Sequence, residues 1–167
     1  CLDIGCSSFG PIIDGDKPSD VYESLAAAAA AGVRTIVITG DLELREPVII
    51  HTKQTRLSSA ASCSGTPLLT VRTGGAIVSA GGALESVNNV RMALVGSGTV
   101  GFVFSDGVPQ RLSVARFATN LLAVEDIDPS HEAALSLVLF DGVSIFGDNS
   151  IDQAALVLNA PKVRVEV

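Results

Sequence analysis

An acidic segment in the second half of the chain carries the densest set of side chains that do chemistry. From Glu125 to Glu132 it holds four carboxylates and one imidazole, among them Asp126, Asp128 and His131. Such carboxylates suit a calcium site, and beside an imidazole they suit general acid–base catalysis. They suit a solvated loop equally well, because the Asp-Pro-Ser sequence within the segment interrupts strands. We favour the loop and predict no catalytic residue, metal site or cofactor; Asp126, Asp128 and His131 form the catalytic alternative.

Isolated reactive residues elsewhere add no second site. His51 follows an apolar run and is expected in a surface turn. The segment Asp14-Gly15-Asp16 is similar to half of a calcium loop but lacks the Glu that completes one. The three cysteines leave an odd thiol in a monomer, so Cys1 with Cys6, Cys6 with Cys63, or free thiols in small apolar sites all stay open.

Composition limits the kind of core and the kind of partner. The 167 residues predict one domain, and hydrophobic residues make up 47% of them, with 4% aromatic and no Trp. A core of small aliphatic side chains on closely spaced strands is therefore expected. The net charge of -7 and the scattered 11 Lys and Arg exclude a nucleic-acid partner. The longest uncharged apolar stretch, 25–33, is too short for a transmembrane helix, and no signal peptide is visible.

One helix is expected to precede all the strands. Ser19 or Asp20 is a suitable N-cap, Glu23 gives a spacing similar to a capping box, and Gly32 suits the C-terminal stop. The predicted organisation is a single domain with an extended lead-in over 1–18, a capping helix over 19–32 and β coils over 33–167.

After the helix, short aliphatic runs recur between Gly, Asn, Asp and Ser residues, which predicts strands without crossover helices. The segments beginning at Val87, Phe140 and Leu158 each show a strand end, a polar break and a new alternating strand. Phe140 and Leu158 are 18 positions apart, close to the ~20-residue period of a solenoid. We therefore predict an all-β, right-handed parallel β-helix of about six coils. The alternative is an antiparallel sandwich, which needs hairpin signals that only Asp106-Gly107 and Asp141-Gly142 supply.

Asparagines at the polar breaks suggest a structural role. Stacked turns in a left-handed conformation place one Asn above another, so that their amides bond along the stack. The candidates are Asn88, Asn89, Asn149 and Asn159. The alternative interpretation is that Asn is common in any turn.

Two resemblances support the β-helix. The Ala-rich helix, the strand Thr35–Thr39 and the segment Asp41–Ile50 resemble the N-terminal coils of pectin-lyase-like right-handed β-helix proteins, over about Ser19 to Leu57. That resemblance implies catalytic carboxylates clustered on one sheet, with calcium in the lyases. The sequence contains no Gly-His-Gly, Asn-Thr-Asp or Asp-Asp signature, so the activity is not carried over. The tetrapeptides at Gly74, Gly81 and Phe117 are similar to Gly-Gly-Ala-aliphatic and Phe-x-x-Asn motifs of polymorphic outer membrane proteins, which are β-helical adhesins.

We accordingly expect a structural or adhesive β-solenoid at an extracellular or cell-surface location. Its expected partners are other protein subunits or cell-surface glycans within a larger assembly. The alternatives are a pectate-lyase-like carbohydrate-active enzyme and an antiparallel sandwich that acts as a binding module. Sugar grooves usually carry aromatic platforms, and Tyr22 is the only Tyr or Trp, which counts against the enzyme.

Overall fold

The computed structural model describes residues 13–15, 21–60, 66–105, 110–126, 135–139, 142–145, 156–159 and 163–166. Within these ranges it contains one helix and eighteen strands. In chain order the elements are β1 (Ile13–Asp14), β2 (Val21–Tyr22), α1 (Leu25–Ala30), β3 (Thr35–Ile38), β4 (Leu42–Leu44), β5 (Pro47–Ile50), β6 (Thr55–Ser59), β7 (Leu68–Arg72), β8 (Ala76–Ala80), β9 (Leu84–Asn88), β10 (Arg91–Val95), β11 (Phe102–Ser105), β12 (Gln110–Ala115), β13 (Ala118–Thr119), β14 (Leu122–Asp126), β15 (Leu135–Leu139), β16 (Ser144–Ile145), β17 (Leu156–Asn159) and β18 (Val163–Glu166).

From β3 onward, the described strands visit three parallel sheets in rotation. Sheet A is formed by β3, β6, β9, β12, β15 and β18, sheet B by β4, β7, β10, β13 and β16, and sheet C by β5, β8, β11, β14 and β17. The chain therefore passes through all three sheets five times, and β18 begins a sixth pass. This pairing confirms the parallel β-helix and excludes the antiparallel sandwich, because among the described strands only β1 pairs antiparallel, with β2 and with β3.

Alternation along each strand sends every second side chain into a common core. Ile36, Leu57, Val87 and Val114 occupy paired positions in successive strands of sheet A, and all four are fully buried. Each such side chain contributes about 1.5–3 kcal/mol when removed from water. The coils stack because no single coil covers this inner face by itself.

The length of a coil varies more than the sequence repeat predicted. Paired positions Ile36, Leu57, Val87, Val114 and Leu139 lie 21, 30, 27 and 25 residues apart. The 18 positions between Phe140 and Leu158 do not measure a coil, because they join two different corners. The break after Phe140 lies between sheets A and B, whereas the break after Leu158 lies between sheets C and A.

The helix is shorter than predicted and begins later. It spans Leu25–Ala30, and the Oγ of Ser24, its N-cap, accepts a hydrogen bond from the Ala27 N–H at 3.1 Å. Val21 and Tyr22, which were assigned to the helix, form β2 and pair with β1. The proposed caps Ser19 and Asp20 lie outside the described residues. Within the described ranges, no helix has the length and apolar character needed to cross a membrane.

The predicted helix stop at Gly32 is confirmed. Gly32 has a φ of 75°, and its N–H donates to the Ala29 carbonyl at 3.1 Å. The Val33 N–H donates to the Ala28 carbonyl at 3.2 Å, which completes a Schellman motif. The turn directs the chain at once into β3.

Candidate docking surface

The described part of the acidic segment does not bring carboxylates together from neighbouring coils. Glu125 and Asp126 end β14; Glu125 is paired in register with Val103 on one side and Asn159 on the other, and Asp126 with Phe104. Across the described ranges, no three His, Cys, Asp or Glu side chains are close enough to hold a metal ion.

The other residues of the predicted catalytic alternative, Asp128 and His131, lie outside the described residues. So do Cys1, Cys6 and Cys63. His51 follows β5 and is exposed, and Tyr22 packs half-buried against the core. Asp14, expected in the extended lead-in, belongs to β1.

Among the candidate asparagines, Asn89 joins one coil to another. Its backbone is left-handed, with a φ of 57°. Its Nδ2 donates to the Ser59 carbonyl at 2.9 Å, and the Ser59 Oγ donates to the Asn89 carbonyl at 2.7 Å. This pair of bonds holds the corner after β9 against the corner after β6.

The described asparagine candidates do not all lie in one stack. Asn88 ends β9 in sheet A and is exposed, whereas Asn159 ends β17 in sheet C. Asn149 lies outside the described residues.

The left-handed corner itself does repeat from coil to coil. At the break from sheet A to sheet B, Asn89, Arg116 and Gly142 have φ values of 57°, 47° and 74°. The Asn89 N–H donates to the Ala115 carbonyl of the next coil at 3.0 Å. Left-handed turns are therefore stacked in these coils, but they are formed by an asparagine, an arginine and a glycine and not by asparagine alone.

A fifth asparagine, Asn120, makes inter-coil hydrogen bonds of the kind expected of the four candidates. Its Nδ2 donates to the Leu94 carbonyl and its Oδ1 accepts from the Leu94 N–H, both at 2.8 Å. The amide thus continues the ladder of β13 one residue beyond the strand. The Phe-x-x-Asn tetrapeptide contained the signal, because Phe117 is fully buried and Asn120 follows at the strand end.

Buried hydroxyls likewise bond the backbone at strand ends. The Thr119 Oγ1 donates to the Leu121 carbonyl at 2.8 Å, and the Thr55 Oγ1 donates to the Thr52 carbonyl at 2.7 Å. The Ser79 Oγ accepts from the Leu84 N–H at 2.9 Å. These three side chains hold corners of the coil, and their observed bonds give each a structural role.

Charged side chains on the outer faces form ion pairs between neighbouring coils. The Arg72 Nε lies 2.8 Å from the Glu43 Oε1, and Arg45 contacts the same oxygen. The hydrogen bond from Arg72 is the main cause that lowers the pKa of Glu43, with Arg45 acting in the same direction. On sheet A, the Arg56 Nε lies 3.0 Å from the Glu85 Oε2.

The described part of the solenoid is electrically balanced. It includes nine of the 11 Lys and Arg and nine of the 18 Asp and Glu. The remaining two basic and nine acidic residues account for the net charge of -7. The described residues taken together therefore carry no net charge.

At the N-terminal end of the stack, added elements cover the edges of sheets A and C, whereas β4 is the outermost described strand of sheet B. In sheet A, β1 and β2 continue beyond β3 in antiparallel orientation, and each is only two residues long. Over sheet C, α1 packs against β5 with Leu25 and Ala28 fully buried. The helix therefore caps this end, as predicted.

The last described strand of sheet A is β18. Val165 is paired with Leu137, which is paired with Leu112, so the three side chains form one inward row. Leu112 and Leu137 are each 0% exposed, but Val165 is 36% exposed. We regard the segment Arg164–Glu166, with its exposed valine, as the candidate docking surface and call it the β18 segment.

No protein-family model matches the chain, and no significant match is found among curated proteins or among solved structures. The assignment of the fold therefore depends on the strand pairing described above.

Proposed function

We propose that the protein is a structural β-solenoid that makes protein contacts within a larger assembly. The observation that carries this proposal is the exposure of aliphatic side chains on a parallel stack that has a buried aliphatic core. In the β18 segment, Val165 is 36% exposed, whereas Leu112 and Leu137 of the same row are fully buried. Exposed aliphatic side chains are surface that association would bury.

The outer faces favour protein over glycan as the partner. Among the described residues, three further aliphatic side chains are more exposed than Val165: Val21 at 61%, Ile49 at 47% and Val95 at 40%. Glycan-binding surfaces rely on Tyr and Trp, but the chain has no Trp and its one Tyr is half-buried. Binding of cell-surface glycans is the competing form of this role, together with the extracellular or cell-surface location that it implies.

The second candidate function is a pectate-lyase-like enzyme, which follows from the proposed kinship with the pectin-lyase-like superfamily. The observation that favours it is the position of Glu125 and Asp126 at the end of a sheet C strand. Against it, the register partners on the preceding coil, Val103 and Phe104, supply neither a base nor a calcium ligand.

One assay decides between these functions. The chain is incubated with uronate polymers in the presence of calcium, and unsaturated or reducing ends are measured for the wild type, Asp126→Asn and Asp128→Asn. We expect no cleavage by any of them. Calcium-dependent cleavage by the wild type that either substitution abolishes would overturn the structural role and establish the enzyme. Glu46→Gln, which removes a carboxylate from an exposed turn, is the control.

A further inference from the structure

We draw no further inference here: the strongest candidate, the apolar surface of the N-terminal cap where β2 and β5, which both contact the alanine-rich helix α1, expose Val21 and Ile49, carries none because nothing in the structure shows what covers it.

Discussion

Single polar residues in this solenoid take the place of peptide groups where strands end. The Asn120 amide bonds both the N–H and the carbonyl of Leu94, and the Asn89 amide bonds the Ser59 carbonyl. A main-chain group left unpaired in a partly buried site costs about 1–3 kcal/mol. The amides therefore permit the corners to be tight without loss of hydrogen bonds.

Asn120→Ala should destabilise the protein by about 1–3 kcal/mol, because it leaves the Leu94 N–H and carbonyl without partners. Chemical denaturation followed by circular dichroism measures this free energy. Asn88→Ala is the matched control, because Asn88 is exposed and its loss should change stability by no more than about 0.5 kcal/mol. Equal effects of the two changes would contradict the role assigned to Asn120.

Glu43 predicts how the stability responds to acid. Hydrogen bonding to Arg72 lowers the pKa of Glu43 below its ordinary value of 4.5. A lowered folded-state pKa means that the ion pair stabilises the fold above pH 4.5, and that this contribution is lost as the pH falls through the lowered value. Glu43→Gln should therefore flatten the loss of stability below pH 4.5, measured as the melting temperature at low salt.

The size of this effect should be small, because Glu43, Arg45 and Arg72 are all partly exposed and solvent screens them. Raising the salt concentration should reduce the difference between the wild type and Glu43→Gln. Glu46→Gln removes the same charge from the turn that follows β4, and it should reproduce none of the change in slope. If the melting temperature falls equally steeply with pH in the wild type and in Glu43→Gln, the Glu43 ion pair does not contribute to the acid dependence of stability.

At the scale of elements, the breaks between strands differ in how closely their backbone approaches the preceding coil. Gly75 lies in the turn between β7 and β8, and a Cβ built there would overlap the Leu44 carbonyl. In contrast, a Cβ at Gly98 would meet no atom within 4 Å. The corner after β7 is therefore packed against the preceding coil, whereas Gly98, in the loop after β10, has open space around it.

Gly75→Ala should cost about 1–3 kcal/mol, because the backbone must move to relieve the overlap with Leu44. Gly98→Ala has only the strain of its left-handed φ of 71°, which is roughly 1–2 kcal/mol. Thermal unfolding of the two variants beside the wild type measures the difference. If Gly98→Ala is the more damaging, then close packing between corners is not what requires glycine at position 75.

The sequence predicted the elements that depend on local chemistry. The parallel coils follow from short aliphatic runs without helices between them, and the helix stop at Gly32 follows from the need for a positive φ. The start of the helix was wrong, because Val21 and Tyr22 are recruited by pairing with β1, a contact that lies outside the helix pattern. Asn120 was missed for the same reason, since its partner Leu94 is 26 residues away.

For the whole molecule, the local free energy of unfolding of a coil should depend on the coils beside it, because each coil contacts only its neighbours. Among the described strands, β6 and β9 have a partner strand on both sides, whereas β18 is paired with β15 alone. We expect hydrogen exchange in this chain to be fastest for β18 and slowest for the central strands of sheet A. Uniform protection along sheet A would show that the stack opens as one unit.

The three-sheet rotation has a consequence for how the protein can change its size. Every coil begins and ends at the same corner, so removing one whole coil, such as β9 through β11, joins two ends that already lie one above the other. The shortened molecule would keep all three faces and lose only one inter-strand step, about 4.7–4.9 Å of its height. Gene duplication or deletion can therefore change the height of the stack in steps of one coil, while the first and last coils stay the same.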